Sequence, residues 1–172
     1  MLLKRDNGQK VRIMSIDKMN VQIVTLGPMR VASIYAFGTD PRKAAWEKLS
    51  NWAGPRGFLD KKNEHPIFGF TSSSPSPRSQ QYGYELWMKV GAEIEQQREL
   101  RIIDFNGGSY AVTRCKNSEK TYENITAIWK ELGEWCKNNN LKSGYHQALE
   151  KFVTRGGKLD DLILDLYYPI IY

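Results

Sequence analysis

The sequence predicts an α+β protein made of two copies of one strand-helix-strand-strand unit, related by a pseudo-twofold axis, with antiparallel sheets, outer helices and a central cleft. The pattern W-x-x-L-x-x-W occurs as Trp46, Leu49 and Trp52 and again as Trp129, Leu132 and Trp135, an offset of 83 (129 − 46), and takes up four of the five tryptophans. A pattern this costly in rare residues marks an internal repeat when its flanks agree. They do: Gly27-Pro28-Met29-Arg30-Val31-Ala32 precedes the first copy and Gly107-Gly108-Ser109-Tyr110-Ala111-Val112 the second, an offset of 80 (107 − 27). Behind the two copies stand Glu85-Leu86-Trp87-Met88-Lys89-Val90 and Asp165-Leu166-Tyr167-Tyr168-Pro169-Ile170, again offset by 80 (165 − 85).

Residues 1–18 match nothing in the second repeat and are expected to form an N-terminal arm. Residues 19–172 then form one domain, with repeat one over about 19–95 and repeat two over about 96–172. The first strand run extends from Val21 to Phe37, broken by Gly27-Pro28. Helix one starts with Asp40 as N-cap and Pro41 at the first helical position and stops near Gly54-Pro55, because a side-chain oxygen satisfies the free N–H groups there and proline lacks the N–H that would be orphaned. Ala45, Trp46, Leu49, Trp52 and Ala53 share its apolar stripe, since spacings of three, four and seven return to one helical face. Strands follow at Ile67 to Thr71 and Tyr82 to Val90, separated by the polar, proline-rich loop Thr71-Ser72-Ser73-Ser74-Pro75-Ser76-Pro77. The second half reads as Arg101 to Phe105, Ser109 to Arg114, a helix carrying Ile125, Ile128, Trp129, Leu132, Trp135 and Cys136 that ends near Asn138-Asn139-Asn140, then Leu149 to Thr154 and Leu162 to Ile171 around the turn Arg155-Gly156-Gly157-Lys158. Both tryptophan pairs read as core anchors that pack helix on sheet.

At 172 residues the chain suits a single domain, as domains commonly hold roughly 100 to 200 residues. The formal charge of +6 comes from Lys and Arg spread along the chain, apart from short clusters such as Lys61-Lys62, which reads as a solvated basic surface rather than a nucleic-acid stripe. Cys115 and Cys136 are too few for a disulfide framework and read as reduced, structural thiols. The start, Met1-Leu2-Leu3-Lys4-Arg5-Asp6, turns to charge before any signal-peptide run, and no stretch nears the roughly 20 apolar residues of a membrane span; a cytoplasmic protein is expected.

Side chains alternate across a strand, so Glu85, Trp87 and Lys89 face one way and Tyr84, Leu86, Met88 and Val90 the other. The apolar set suits the helix-covered face, which sends Glu85 and Trp87, and by repetition Asp165 and Tyr167, toward the cleft. Aligning Phe68-Gly69-Phe70-Thr71 with Glu150-Lys151-Phe152-Val153-Thr154, with a one-residue slip, puts Glu150 at the place of an aromatic residue, on the strand face of Phe152. A carboxylate among aromatics is expensive to desolvate unless something positive meets it. Two readings of Glu150 are open: a site for an organic cation, with each nearby ring adding about 0.5 to 2 kcal/mol, or a salt bridge to a local cation such as Lys151 or Arg155.

The Gly107-to-Val112 segment, the helix with Trp129 and Trp135, the Leu149-Glu150-Lys151-Phe152 strand and the closing Asp165-to-Ile170 segment together resemble the GyrI-like small-molecule-binding family over about residues 20 to 172. That family includes the effector-binding domains of bacterial multidrug-responsive transcription activators and the stand-alone gyrase inhibitor. The resemblance implies paired strand-helix-strand-strand units around a pocket in which an acid on the strand before the last, here Glu150, meets cationic, amphipathic ligands. A helix-turn-helix reader with its linker needs on the order of 60 residues, more than precede the first repeat strand, so the resemblance is to a stand-alone binding domain, or to one whose DNA-binding partner is another chain. No direct DNA binding and no membrane contact are expected.

The leading expectation is a protein that senses or sequesters small hydrophobic or cationic molecules, with Glu150 and Glu85 for charge and Trp87, Tyr110, Phe152 and Tyr167 as aromatic walls, extended by Tyr35 and Phe68. A second is a hydrolase of small electrophilic compounds, as some members of the resembled family are, with Glu85 or Glu150 as general base. A third, invited by the gyrase inhibitor, is a protein partner such as gyrase or a transcription regulator. The sequence has no nucleophile elbow or phosphate-cradling glycine loop, and His65 and His146 lack the paired spacing of a zinc site with its cysteines; neither a metal nor a cofactor is expected.

Overall fold

A computed structural model of the chain describes residues 19–73, 76, 78–116, 121–155 and 162–171. The expected arm at 1–18, part of the serine-proline loop and the turn at 156–158 lie outside the described residues. The elements run β1 (Val21–Leu26), β2 (Met29–Gly38), α1 (Pro41–Ala53), β3 (Ile67–Ser73), β4 (Tyr82–Lys89), β5 (Arg101–Phe105), β6 (Gly108–Lys116), α2 (Thr121–Asn138), β7 (Lys142–Ser143), β8 (Leu149–Phe152) and β9 (Ile163–Ile171). The fold is α+β, as the repeat predicts. Asp40 caps α1 by accepting from the Lys43 N–H at 3.4 Å, with Pro41 in the first turn.

All strands belong to one curled antiparallel sheet in the order β1-β6-β9-β8-β3-β4-β2-β5, with the short β7 beside β9. β2, β4 and β3 form one half and β6, β9 and β8 the other, and the halves join where Phe68 and Gly69 pair with Lys151 and Glu150. The strand that stands ahead of each strand-helix-strand-strand unit is exchanged between the halves. β1 precedes the first half but pairs with β6 of the second, while β5 precedes the second half but pairs with β2 of the first.

The exchange dictates the curl. β1 and β2 lie near opposite ends of the sheet yet only Gly27 and Pro28 separate them, and three residue steps reach at most about 11 Å. The two ends must therefore come together. The β5–β6 connection crosses the β1–β2 connection at close range: Gly107, with φ of +81°, lies where an added Cβ would stand 2.2 Å from the Leu26 carbonyl oxygen. Only glycine meets both demands at once.

The helices cover one face. Leu49, Ala45 and Ala53 of α1 and Ile125, Leu132 and Cys136 of α2 pack with Ile34, Tyr84, Leu86, Met88, Leu164, Leu166 and Ile170 in the larger core. The helix-free face turns inward and holds a second cluster, Met29, Val31, Phe68, Phe70, Trp87, Tyr110, Val112, Leu149 and Tyr167. Cys115 and Cys136 are free and buried. Burial raises both thiols, Cys136 to about 11, and the charge of Glu150 adds to the rise at Cys115. No helix among the described residues is long and apolar enough to cross a membrane.

Candidate functional site

The inner face is an aromatic trough. Phe68 meets Tyr167 edge-on at 6.0 Å between ring centroids, Tyr167 meets Tyr110 at 5.4 Å, Phe70 meets Trp87 at 4.9 Å and Trp87 meets Phe105 at 5.3 Å. Alternation along β4 and β9 puts Trp87 and Tyr167 there, and their register partners Ser33 and Phe68 on one side, Val112 and Leu149 on the other, share the face. The floor is closed, but the rim is not: Tyr35 is 44% exposed and Phe37 56%. Burial pushes the Tyr110 and Tyr167 phenols up, with Asp165 adding to the rise at Tyr167, so both stay protonated donors at neutral pH. The Tyr110 hydroxyl donates a hydrogen bond to the Gln147 carbonyl at 2.7 Å.

Glu85 is the acid of this trough. It is buried, and three donors converge on one of its oxygens: Ser33 Oγ at 2.5 Å, Trp87 Nε1 at 2.9 Å and an Arg101 Nη at 3.2 Å all reach Oε1. Oε2 accepts no hydrogen bond among the described residues. Tyr35 and Phe70 are its register neighbours on the two adjoining strands. The cation beside it among the described residues, Arg101, has a side chain 62% exposed, and an ion pair with so wet a partner is worth about 1 kcal/mol or less.

Glu150 stands elsewhere. The register pairs it with Gly69 and Leu166, both turned to the helix-covered face, so Glu150 and Phe152 lie beneath α1 and not in the trough. Phe152 packs edge-on against Trp46 at 5.0 Å. The Glu150 carboxylate receives Arg42 of α1 at 3.0 and 3.4 Å and the Tyr84 hydroxyl at 2.9 Å. The guanidinium also lies over the Tyr84 ring, 4.5 Å from its centroid. Glu150 has thus the salt bridge of the second reading, with Arg42 in place of the nearer-in-sequence Lys151 or Arg155. Arg155 instead donates to the carbonyls of Phe58, Leu59, Lys62 and His65, tying down the α1–β3 connection.

The placement error has a definite source. Taking β4 and β9 as equivalent, register makes Phe68 the sister of Leu149 and Gly69 that of Glu150, an offset of 81 (150 − 69), and Val31 the sister of Tyr110, an offset of 79 (110 − 31). The repeat drifts by one residue in each direction around its common 80, and a one-residue slip moves every side chain of a strand to the other face. Gly69 matters for the same reason: a Cβ there would stand 2.2 Å from the Tyr84 hydroxyl, so its absence makes room for the bond to Glu150. Of the sequence-predicted residues, the structure thus gathers Glu85, Trp87, Tyr110, Tyr167, Phe68 and Tyr35 on the inner face and sets Glu150 and Phe152 apart. Sequence reasoning missed Ser33, Phe70, Arg101 and Arg42. Alternation along β2, with Val31, Ser33 and Tyr35 on one side, carried a signal for Ser33, and a basic residue one turn ahead of the Trp46 and Leu49 stripe carried one for Arg42. Among the described residues no group of His, Cys, Asp or Glu is placed to hold a metal ion.

Comparison with known proteins agrees with this geometry at the level of fold. A family model for a GyrI-like small molecule binding domain matches residues 19–171. No curated protein sequence matches the chain. Among solved structures, the chain is similar to EcmrR in its DNA complex (TM-score 0.68, 12% identity, covering 98% of this chain and 64% of that one). It is also similar to a hydrolase from Listeria innocua (TM-score 0.64, 9% identity, covering 94% and 98%). A third similar structure is SAV2435 bound to tetraphenylphosphonium (TM-score 0.50, 11% identity, covering 89% and 94%).

Proposed function

Since the chain belongs to the GyrI-like small-molecule-binding family, we propose that it senses or sequesters small hydrophobic cations, taken up on the inner face of the sheet with Glu85 as their counter-ion. One observation carries this: a buried carboxylate whose Oε1 is held by three donors while Oε2 accepts none among the described residues, set between Tyr35 and Phe70 and beside Trp87. Held in this way, the group has lost its rotational freedom before a ligand arrives, which lowers the ordering cost of binding.

Magnitudes favour Glu85 over Glu150 as the receiving acid. A ligand cation at Glu85 displaces only the exposed Arg101, at a cost of about 1 kcal/mol or less, and aromatic faces return about 0.5 to 2 kcal/mol each. At Glu150 it would have to part a buried pair whose two side chains are each 9% exposed, a loss of about 3 to 5 kcal/mol. That a protein of similar fold is described as bound to tetraphenylphosphonium supports the choice of probe. Titration calorimetry with tetraphenylphosphonium should show Glu85→Gln weakening binding by about tenfold or more, with triphenylphosphine oxide as neutral control changing little and the melting temperature retained. Equal affinity for the phosphonium in wild type and Glu85→Gln rejects the assignment.

The same free oxygen supports a second reading. Oε2 of Glu85 in an aromatic site is a suitable general base for water attacking an electrophilic ligand, and a protein of similar fold is described as a hydrolase. Under that reading a reactive ligand emerges from incubation one water heavier by mass spectrometry, and Glu85→Gln abolishes the conversion.

A further inference from the structure

The two halves present the same place with a different balance of charge. In the first half Glu85 of β4 is flanked across its strands by Tyr35 and Phe70. In the second, its sister Asp165 of β9 is flanked by Arg114 and Lys151. Both aromatic neighbours have become cations. Arg114 engages both oxygens of Asp165, its Nε reaching Oδ1 at 2.7 Å and an Nη reaching Oδ2 at 3.0 Å, and this bond and charge hold the guanidinium pKa up. The side chain of Lys151, half-buried on the inner face, has no ion-pair or hydrogen-bond partner among the described residues. Among the described residues the Asp165 group therefore carries one positive charge in excess, in a place where the Glu85 group, with Arg101 on Oε1, offers a carboxylate oxygen that accepts no hydrogen bond.

We propose that the ligands are amphoteric: a cationic head seated at Glu85 and, at the other end of a flat apolar body, a carboxylate or similar anion reaching Lys151. This rests on the Glu85 reading above and adds the second pole. The spacing follows from the register. Glu85 stands opposite Phe70 and Lys151 opposite Phe68, so the two charges are two strand spacings and two residues apart, roughly 12 Å, shortened by the curl. Phe68 and Phe70 lie between them on β3, buried edge-on against Tyr167 and Trp87, so a spacer of two aromatic rings would run along this aromatic row. Arg114 does not compete for the anion while both of its bonds to Asp165 hold, which leaves Lys151 as the group that reads the far end.

The test uses 4′-trimethylammonio-biphenyl-4-carboxylate and its methyl ester, which share the cationic head and differ in the far charge. Wild-type protein should bind the zwitterion about fivefold more tightly than the ester. In Lys151→Met the ratio of the two affinities should fall to about one, and Lys151→Arg should restore it. A ratio of one in the wild type, or a preference that survives in Lys151→Met, overturns the proposal. Ester binding that ignores Glu85→Gln sinks the Glu85 reading and the amphoteric proposal together. Ester binding that depends on Glu85 without any preference for the zwitterion sinks the amphoteric proposal alone.

Discussion

Glu85 and Glu150 are both buried carboxylates, and what each touches separates their roles. Glu150 spends both oxygens on Arg42 and Tyr84 inside the helix-sheet core, whereas Glu85 has one oxygen that accepts no hydrogen bond among the described residues. Removing the Glu150 charge leaves a buried guanidinium without its counter-ion, so Glu150→Gln should lower stability by about 3 kcal/mol or more in urea denaturation. A joint Glu150→Leu and Arg42→Met replacement should recover most of it, since an apolar pair of similar volume replaces a desolvated ion pair at little cost. A Glu150→Gln protein as stable as wild type contradicts the internal-pair assignment. The sequence told which residues are acids and aromatics but not which face Glu150 takes, because β8 has four residues, too few for alternation to correct a one-residue slip.

Elements differ in how far local chemistry determines them. Both helices were legible, α1 from Asp40, Pro41 and the Trp46-Leu49 stripe and α2 from its longer apolar stripe, because caps and 3.6-residue periodicity are written in neighbouring residues. The exchange of β1 and β5 was not, since strand partners are chosen across the whole chain and Gly27-Pro28 reads equally well as a hairpin turn or as a crossover. The two-residue β7 left no recognisable run at all. The exchange predicts a contrast within β1. Val24 packs on the inner cluster while Ile23 is 44% exposed, so Val24→Thr, which places a hydroxyl against apolar neighbours, should cost about 1 to 2 kcal/mol. Ile23→Thr should stay within about 0.5 kcal/mol. Equal losses in chemical denaturation contradict the facing of β1.

The whole molecule is a doubled sheet closed by exchange into a curl, with helices outside and aromatics within. Duplication supplies two equivalent acid positions, and the residues around them, aromatics beside Glu85 and cations beside Asp165, make the two places chemically different. The doubling was legible because tryptophans are rare enough to mark it; the polarity of the site was not, because it depends on which residues register brings across the sheet. A crystal structure of the protein with tetraphenylphosphonium tests the central claim most directly. The phosphonium should lie on the inner face, with Glu85 Oε2 as its nearest carboxylate oxygen and an aromatic ring within about 6 Å, and the Arg42–Glu150 pair should be unbroken. A phosphonium lodged beneath α1 against Glu150, with Arg42 displaced and the inner face empty, would contradict it.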